Sequence, residues 1–137
     1  MAAEVHSSLS DFCERVLLRQ GDLEAVLIGT CEGVPITKAV RKGSSVAIKL
    51  SQESELPQVF SSAADQAGKM GMGGLSSMVT FSDRYCLVYV NMMPLVVTFV
   101  HQAAANCGAT LDIIPSLREA LEPIRQQVDI IYGKDQH

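Results

Sequence analysis

His101 and Cys107 come nearest to a catalytic pair in this 137-residue chain. An imidazole in reach of a thiol can take its proton and leave a nucleophilic thiolate. Six residues of separation do not bring the two together, and no acid sits in a matching place to orient the ring. A histidine at a strand end and an ordinary thiol are therefore expected. The other cysteines are Cys13, Cys31 and Cys86. No two cysteines have Cys-x-x-Cys spacing and no pair of histidines accompanies them, so neither a zinc site nor a disulfide framework is indicated. Buried or half-buried reduced thiols are the expectation. Gly68-Lys69, with Gly71, Gly73 and Gly74 close behind, has the composition of a phosphate loop. Such a loop follows a strand, ends in Gly-Lys-Ser/Thr and opens a helix. Here the helical pattern comes first and the strand after, so the glycines read as a helix exit. His6 and His137 lie in terminal segments and are expected in solvent. No catalytic residue, cofactor or metal site is predicted, and the chain reads as a binding protein rather than an enzyme.

Composition narrows the partners. Net charge is −4 and the eleven basic residues are scattered, which argues against a nucleic-acid footprint. Hydrophobic residues make up 47% of the chain and charged residues only 19%, so some apolar surface is expected to meet a protein partner. The length fits one domain over 1–137, with flexible ends expected at 1–8 and 133–137. A domain near this size buries about 68% of the surface of its unfolded chain, enough for a core without staples. Cys86–Ala105 is apolar, but Asn91, Pro94, His101 and Gln102 interrupt it, and two strands explain it better than a spanning helix. Glu4 and Ser7-Ser8 argue against a secretory signal. Met1-Ala2 lacks the glycine for myristoylation, and Asp135-Gln136-His137 is no prenylation box. Any membrane location is expected to come through partners.

The elements follow from spacing. Leu9, Phe12, Cys13 and Val16 predict an amphipathic helix over Leu9–Arg19, with Ser8 as N-cap, Gly21 as stop, and Asp11, Glu14, Arg15 and Arg19 on its wet face. Leu23–Thr30 reads as a strand, Cys31-Glu32-Gly33 as a hairpin loop, and Val34–Val40 as the returning strand. Pro35 places that strand at an edge or against the turn. Arg41–Ser54 is read as a loop, with the strand possible again through Val46-Ala47-Ile48. Leu56, Phe60, Ala63, Ala67 and Met70 predict a second helix over Leu56–Met70 with one apolar stripe. Ser61, Ala64 and Gly68 form a second stripe of small residues that lets another backbone approach.

Met78–Phe81, Tyr85–Val90 and Leu95–Val100 are three strand-like runs, separated by Ser82-Asp83-Arg84 and by Asn91–Pro94. Ile114, Leu117, Leu121, Ile124, Val128 and Ile131 predict the last helix, with Asp112 or Ser116 as its cap and a Ser116-x-x-Glu119 capping box. Pro123 is expected to kink it. The class is α+β, in the order α-β-β-α-β-β-β-α.

Several local patterns in that order resemble the roadblock/LC7 family. They are Gly33-Val34-Pro35-Ile36 with Lys38, then Ala64-Asp65-Gln66 with Gly68-Lys69 and Gly71. Asn91, Pro94-Leu95-Val96-Val97, Phe99, Ala105-Asn106 and Gly108 follow, and then Ser116-Leu117, Leu121 and Pro123. Within the family the likeness is to scaffold subunits of Ragulator-type assemblies. It implies a five-stranded antiparallel sheet with the middle helix on one face and the terminal helices on the other. It implies a heterodimer with a second roadblock subunit, joined through third strands and middle helices. It also implies an assembly on the cytosolic face of late endosomes and lysosomes that anchors Rag GTPases, serves TOR complex 1 signalling and engages the MAP kinase cascade. Other roadblock proteins, dynein light chains and bacterial-type GTPase regulators, are the alternative.

One part of this stands on the residues alone once the strand order is granted. Ser77–Phe81 becomes a sheet edge that is apolar and free of Pro and Lys. Such an edge invites pairing. Phe60, Ala64, Gly68, Val79 and Phe81 are the predicted partner-binding residues.

Overall fold

The computed structural model describes residues 2–43, 56–74, 76–81, 85–102 and 108–132. Helix α1 spans Ala2–Arg19, strand β1 Leu23–Thr30 and β2 Pro35–Val40. Helix α2 spans Leu56–Gly73. Strands β3 (Ser77–Phe81), β4 (Tyr85–Met92) and β5 (Leu95–Gln102) follow, and helix α3 closes the order at Gly108–Tyr132. One five-stranded sheet runs β2-β1-β5-β4-β3, and every pairing is antiparallel.

Helices cover both faces, so the central strands do not alternate between wet and dry. All eight residues of β1 are buried. On one face Val26, Ile28, Val88, Val90, Val97 and Phe99 pack against Leu9, Phe12 and Val16 of α1 and Ile114, Leu117 and Leu121 of α3. On the other face Ala25, Leu27, Leu87, Tyr89, Val96 and Val100 pack against Val59, Phe60, Ala63, Ala67 and Met70 of α2. Each large apolar side chain in these layers contributes roughly 1.5–3 kcal/mol by leaving water. The two-sided arrangement expected for the sheet is the one observed.

A β-bulge sets which residues of β1 face which helix. Leu23 pairs with His101 and Ala25 with Val100, so Glu24 is the extra residue. The bulge lets Leu23 share a face with Val26 and Ile28. Glu24 is buried, and its Oε1 accepts from Gln102 Nε2 at 2.8 Å. Its carbonyl accepts from the Arg41 N–H at 2.8 Å. The Arg41 guanidinium then closes the end of α1, donating to the carbonyls of Leu17 (2.8 Å), Gln20 (2.9 Å) and Leu23 (2.7 Å). Carbonyls at a helix C-terminus have no partner within the helix, and a cation there also suits the helix dipole.

The helices differ from expectation at their starts. Helix α1 begins at Ala2 rather than Leu9, so Ser8 lies inside it and not at its cap, and residues 2–8 are helical. Helix α3 begins at Gly108, which puts Asp112, Ser116 and Pro115 within the helix rather than at its start. It also continues through Pro123. A helical proline leaves the carbonyl four residues earlier without its donor. For Pro115 and Pro123 those carbonyls belong to Leu111 and Glu119, and all four residues are exposed, so water can serve them. The expected continuation at Val46–Ile48, the Asp83-Arg84 turn and the tail at 133–137 lie outside the described residues.

Candidate partner-binding surface

Strand β3 is the outer strand of the sheet. Its pairs run from Ser77↔Val90 to Phe81↔Cys86, all with β4, and among the described residues nothing pairs with its other side. The carbonyl of Ser76 accepts from Asn91 N–H at 2.9 Å, which fixes the phase. In an antiparallel ladder alternate residues bond to the same neighbour, so Ser77, Val79 and Phe81 turn their N–H and C=O groups outward. Ser77–Thr80 are half-buried, and Val79 packs against the α1/α3 layer. Phe81 is 71% exposed. A ring that large in water at the end of an open strand is a surface looking for cover.

Helix α2 touches β3 and crosses the neighbouring face. Of its expected stripe Phe60, Ala63, Ala67 and Met70 are buried, and Val59 joins them. Ser62 is hydrogen-bonded to the Tyr89 hydroxyl at 3.2 Å, fixing α2 to β4. Burial pushes the Tyr89 pKa up, with the Ser62 bond pulling the other way. On its outer surface Ser61 and Gly68 are exposed and Ala64 is half-exposed. A β-carbon on Gly68 would meet nothing within 4 Å. Asp65 and Lys69 form an ion pair at 3.7 Å, but both are mostly exposed, so it contributes little. Gly33, at φ +93°, brings the β1–β2 hairpin against the helix, where its β-carbon would lie 3.5 Å from that of Ala64. Helix α2 ends at Gly73, and Gly74 at φ +72° turns the chain into β3. The glycine run is thus a helix exit.

Four of the five residues singled out from the sequence fall into two surface groups, and the fifth does not. Ala64 and Gly68 lie on the surface of α2, and Val79 and Phe81 on the open strand. Phe60 is 5% exposed and belongs to the core of its own chain. The signal for that lies in Gly29, a glycine inside a strand, which marks a close approach. Sequence reading also misses Arg118, which donates to the Ser76 carbonyl at 3.0 Å and ties α3 to the start of β3.

The residues with potential chemistry lie elsewhere. His101 is fully buried, with Nε2 3.0 Å from the Thr110 hydroxyl. Burial lowers its pKa, while Asp22 and Glu24 pull it up. The Cys13 thiol is pushed up to about 12 by burial and, less, by Glu14. Burial and then Glu32 raise the Cys31 thiol as well. Neither is a thiolate at neutral pH, and thiolate is the reactive form. Cys107 lies outside the described residues. Among the described residues, no helix is long and apolar enough to cross a membrane.

An antiparallel five-stranded sheet with one helix on one face and two on the other is the roadblock/LC7 fold. A roadblock/LC7 domain from Streptomyces avermitilis superposes with a TM-score of 0.60 at 14% identity, covering 83% of this chain and 94% of that one. Gliding protein MglB from Thermus thermophilus superposes with a TM-score of 0.71 at 14% identity, covering 90% and 92%. Identities this low speak to fold alone.

Residues 7–128 match the family described as mitogen-activated protein kinase kinase 1 interacting, and the chain belongs to that family. Relatives include Ragulator complex protein LAMTOR3 of Xenopus tropicalis, 28% identical over 122 residues (89% of this chain, 96% of the relative). Human Ragulator complex protein LAMTOR3 is 28% identical over 108 residues (79% and 85%).

Proposed function

We propose that this chain is a non-catalytic scaffold subunit of a Ragulator-type complex, and that it works by lending its open strand and the outer face of α2 to a second roadblock-domain subunit. The observation that carries this is β3: an outer strand without Pro or Lys, its outward backbone groups free among the described residues, ending in an exposed Phe81. A partner strand laid beside it supplies the missing hydrogen bonds, the mode known as β-augmentation. Ala64 and Gly68 let the partner's helix come close, Val79 carries outward backbone groups, and Phe81 gains cover. Phe60 serves from beneath, holding α2 in place. An interface of this kind can exceed the standard size of roughly 1,600 Å².

The joined pair then offers a composite surface to the other Ragulator subunits, to Rag GTPases acting in TOR complex 1 signalling, and to components of the MAP kinase cascade. Recruitment through those partners places the chain on the cytoplasmic face of late endosomes and lysosomes. The family match over residues 7–128 favours this reading over a dynein light chain or another GTPase-regulating roadblock protein.

Co-expression with a candidate second roadblock subunit, followed by pull-down and light scattering, tests the proposal. A one-to-one complex lost on Ala64→Arg supports it, and undiminished capture by that variant overturns it.

A further inference from the structure

The start of the open strand is held by a side chain from another element. Ser76, the residue before β3, is exposed, and so are Gly71, Met72, Gly73 and Gly74 ahead of it. Beside it opens a groove of about 420 Å³, lined by Met70 of α2, Asn91 of β4, and Arg118 and Leu121 of α3 among others. No residue of β3 is fully buried: four side chains are half-buried and Phe81 is exposed. Side-chain packing therefore does little to fix where the strand begins. Among the described residues two hydrogen bonds mark that point, and both end on one atom. The Ser76 carbonyl oxygen accepts from the Asn91 N–H at 2.9 Å and from Arg118 Nη2 at 3.0 Å.

We infer that Arg118 is a positioning residue for partner capture: it keeps the first residues of β3 in place, so that a partner strand meets an edge already formed. This rests on the dimer proposed above and names the residue of α3 on which the open strand depends. Leu117 and Leu121 flank Arg118 on α3 and are both buried, so the base of the side chain is anchored to the core. Its head takes the second lone pair of a carbonyl whose first is already used by β4. A guanidinium donor makes this bond charge-assisted and stronger than the neutral bond beside it. The backbone leading into β3 supplies no stiffness of its own, since Gly73 and Gly74 precede it and Gly74 sits at φ +72°. An edge strand with few buried contacts opens from its ends at low cost. Without Arg118 that opening begins at Ser76 and takes Ser77 with it, whose outward backbone groups are the first a partner strand engages. The isolated chain loses little, because water solvates a frayed edge. The partner loses more: it binds only the ordered fraction, and its apparent affinity falls with that fraction.

The test uses the full chain, alone and with the second roadblock subunit of the pull-down above. Alone, Arg118→Ala should speed amide exchange at Asn91 and Met78, at the start of β3, and leave Leu87, opposite its far end, unchanged. With the subunit, Arg118→Ala should raise Kd roughly fivefold, about what one hydrogen bond is worth. Arg118→Lys, whose ammonium can still serve a single carbonyl, should restore most of the affinity. Arg41→Ala loosens the far corner of the sheet and is the control for lost stability; it should leave Kd unchanged. All variants are compared at a temperature where circular dichroism shows each one folded. A wild-type chain that captures no second subunit takes down the dimer and this inference with it. Where the wild type does capture it, the inference alone is overturned by Arg118→Ala binding as tightly, by unchanged exchange at Asn91 and Met78, by Arg118→Lys binding as poorly as Arg118→Ala, or by Arg41→Ala weakening capture as much.

Discussion

Phe60 lies directly over Gly29: a β-carbon on Gly29 would stand 2.9 Å from Phe60 Cδ1 and 3.0 Å from the Val34 carbonyl oxygen. The ring can swing, but the carbonyl belongs to the hairpin and cannot. Gly29→Ala is expected to destabilise the chain by about 1–3 kcal/mol, the usual cost of overpacking. Phe60→Ala should cost about 3–5 kcal/mol through the cavity it leaves. Urea unfolding measures both, and a Gly29→Ala variant as stable as wild type would show that the hairpin yields.

Arg41 should matter for stability out of proportion to its place just past β2. Arg41→Ala removes three charge-assisted hydrogen bonds, to the carbonyls of Leu17 in α1, Gln20 just past it and Leu23 at the start of β1, of which Gln20 still accepts from the Leu23 N–H. A loss of about 2–3 kcal/mol is expected. Arg41→Lys should recover only part of it, because an ammonium cannot reproduce the forked geometry. Amide exchange at the last turn of α1 should rise in step with the loss.

Gly68 separates folding from binding. It sits exposed inside α2, where Gly68→Ala should stabilise the helix by roughly 0.8–1 kcal/mol. Gly68→Arg should likewise keep or raise the melting temperature of the isolated chain while abolishing capture of a second roadblock subunit. A variant that melts earlier, or binds as before, would contradict the role given to this face.

His101 makes stability depend on pH. Burial depresses its folded pKa, so between that value and the unfolded value near 6.5 the unfolded chain binds more protons. Stability is then full above about pH 6.5 and falls as the pH drops below it, by at most about 1.4 kcal/mol per pH unit for one group. His101→Gln should flatten the profile between about pH 5 and 7. Chemical denaturation at stepped pH gives the slope directly.

The sequence exposes the elements of this fold better than their surroundings. β1 is readable to both ends because turns at Gly21 and Gly33 frame a segment centred on the apolar run Ala25–Ile28. Its faces are not, since burial on both sides erases alternation and a bulge leaves no mark in composition. The start of α3 reads too late because Pro115 looks like a first-turn residue, and only the exposure of Leu111 shows why a mid-helix proline is tolerated. Phe60 reads as a partner contact because a helical stripe says that something covers it, not which chain does. Arg118 stands off the apolar stripe of the last helix in the sequence, but its reach to the Ser76 carbonyl exists only once α3 and β3 are side by side.

The extra residue in β1 also governs where the chain can tolerate length variation. Removing Glu24 would straighten the strand and still leave Leu23 on the side it now occupies. Dropping any single residue from Val26 to Ile28 would re-side every neighbour on one flank. Homologues one residue shorter are thus expected to carry their gap at position 24 and to forgo the contact with Gln102, keeping the hydrophobic layers in frame.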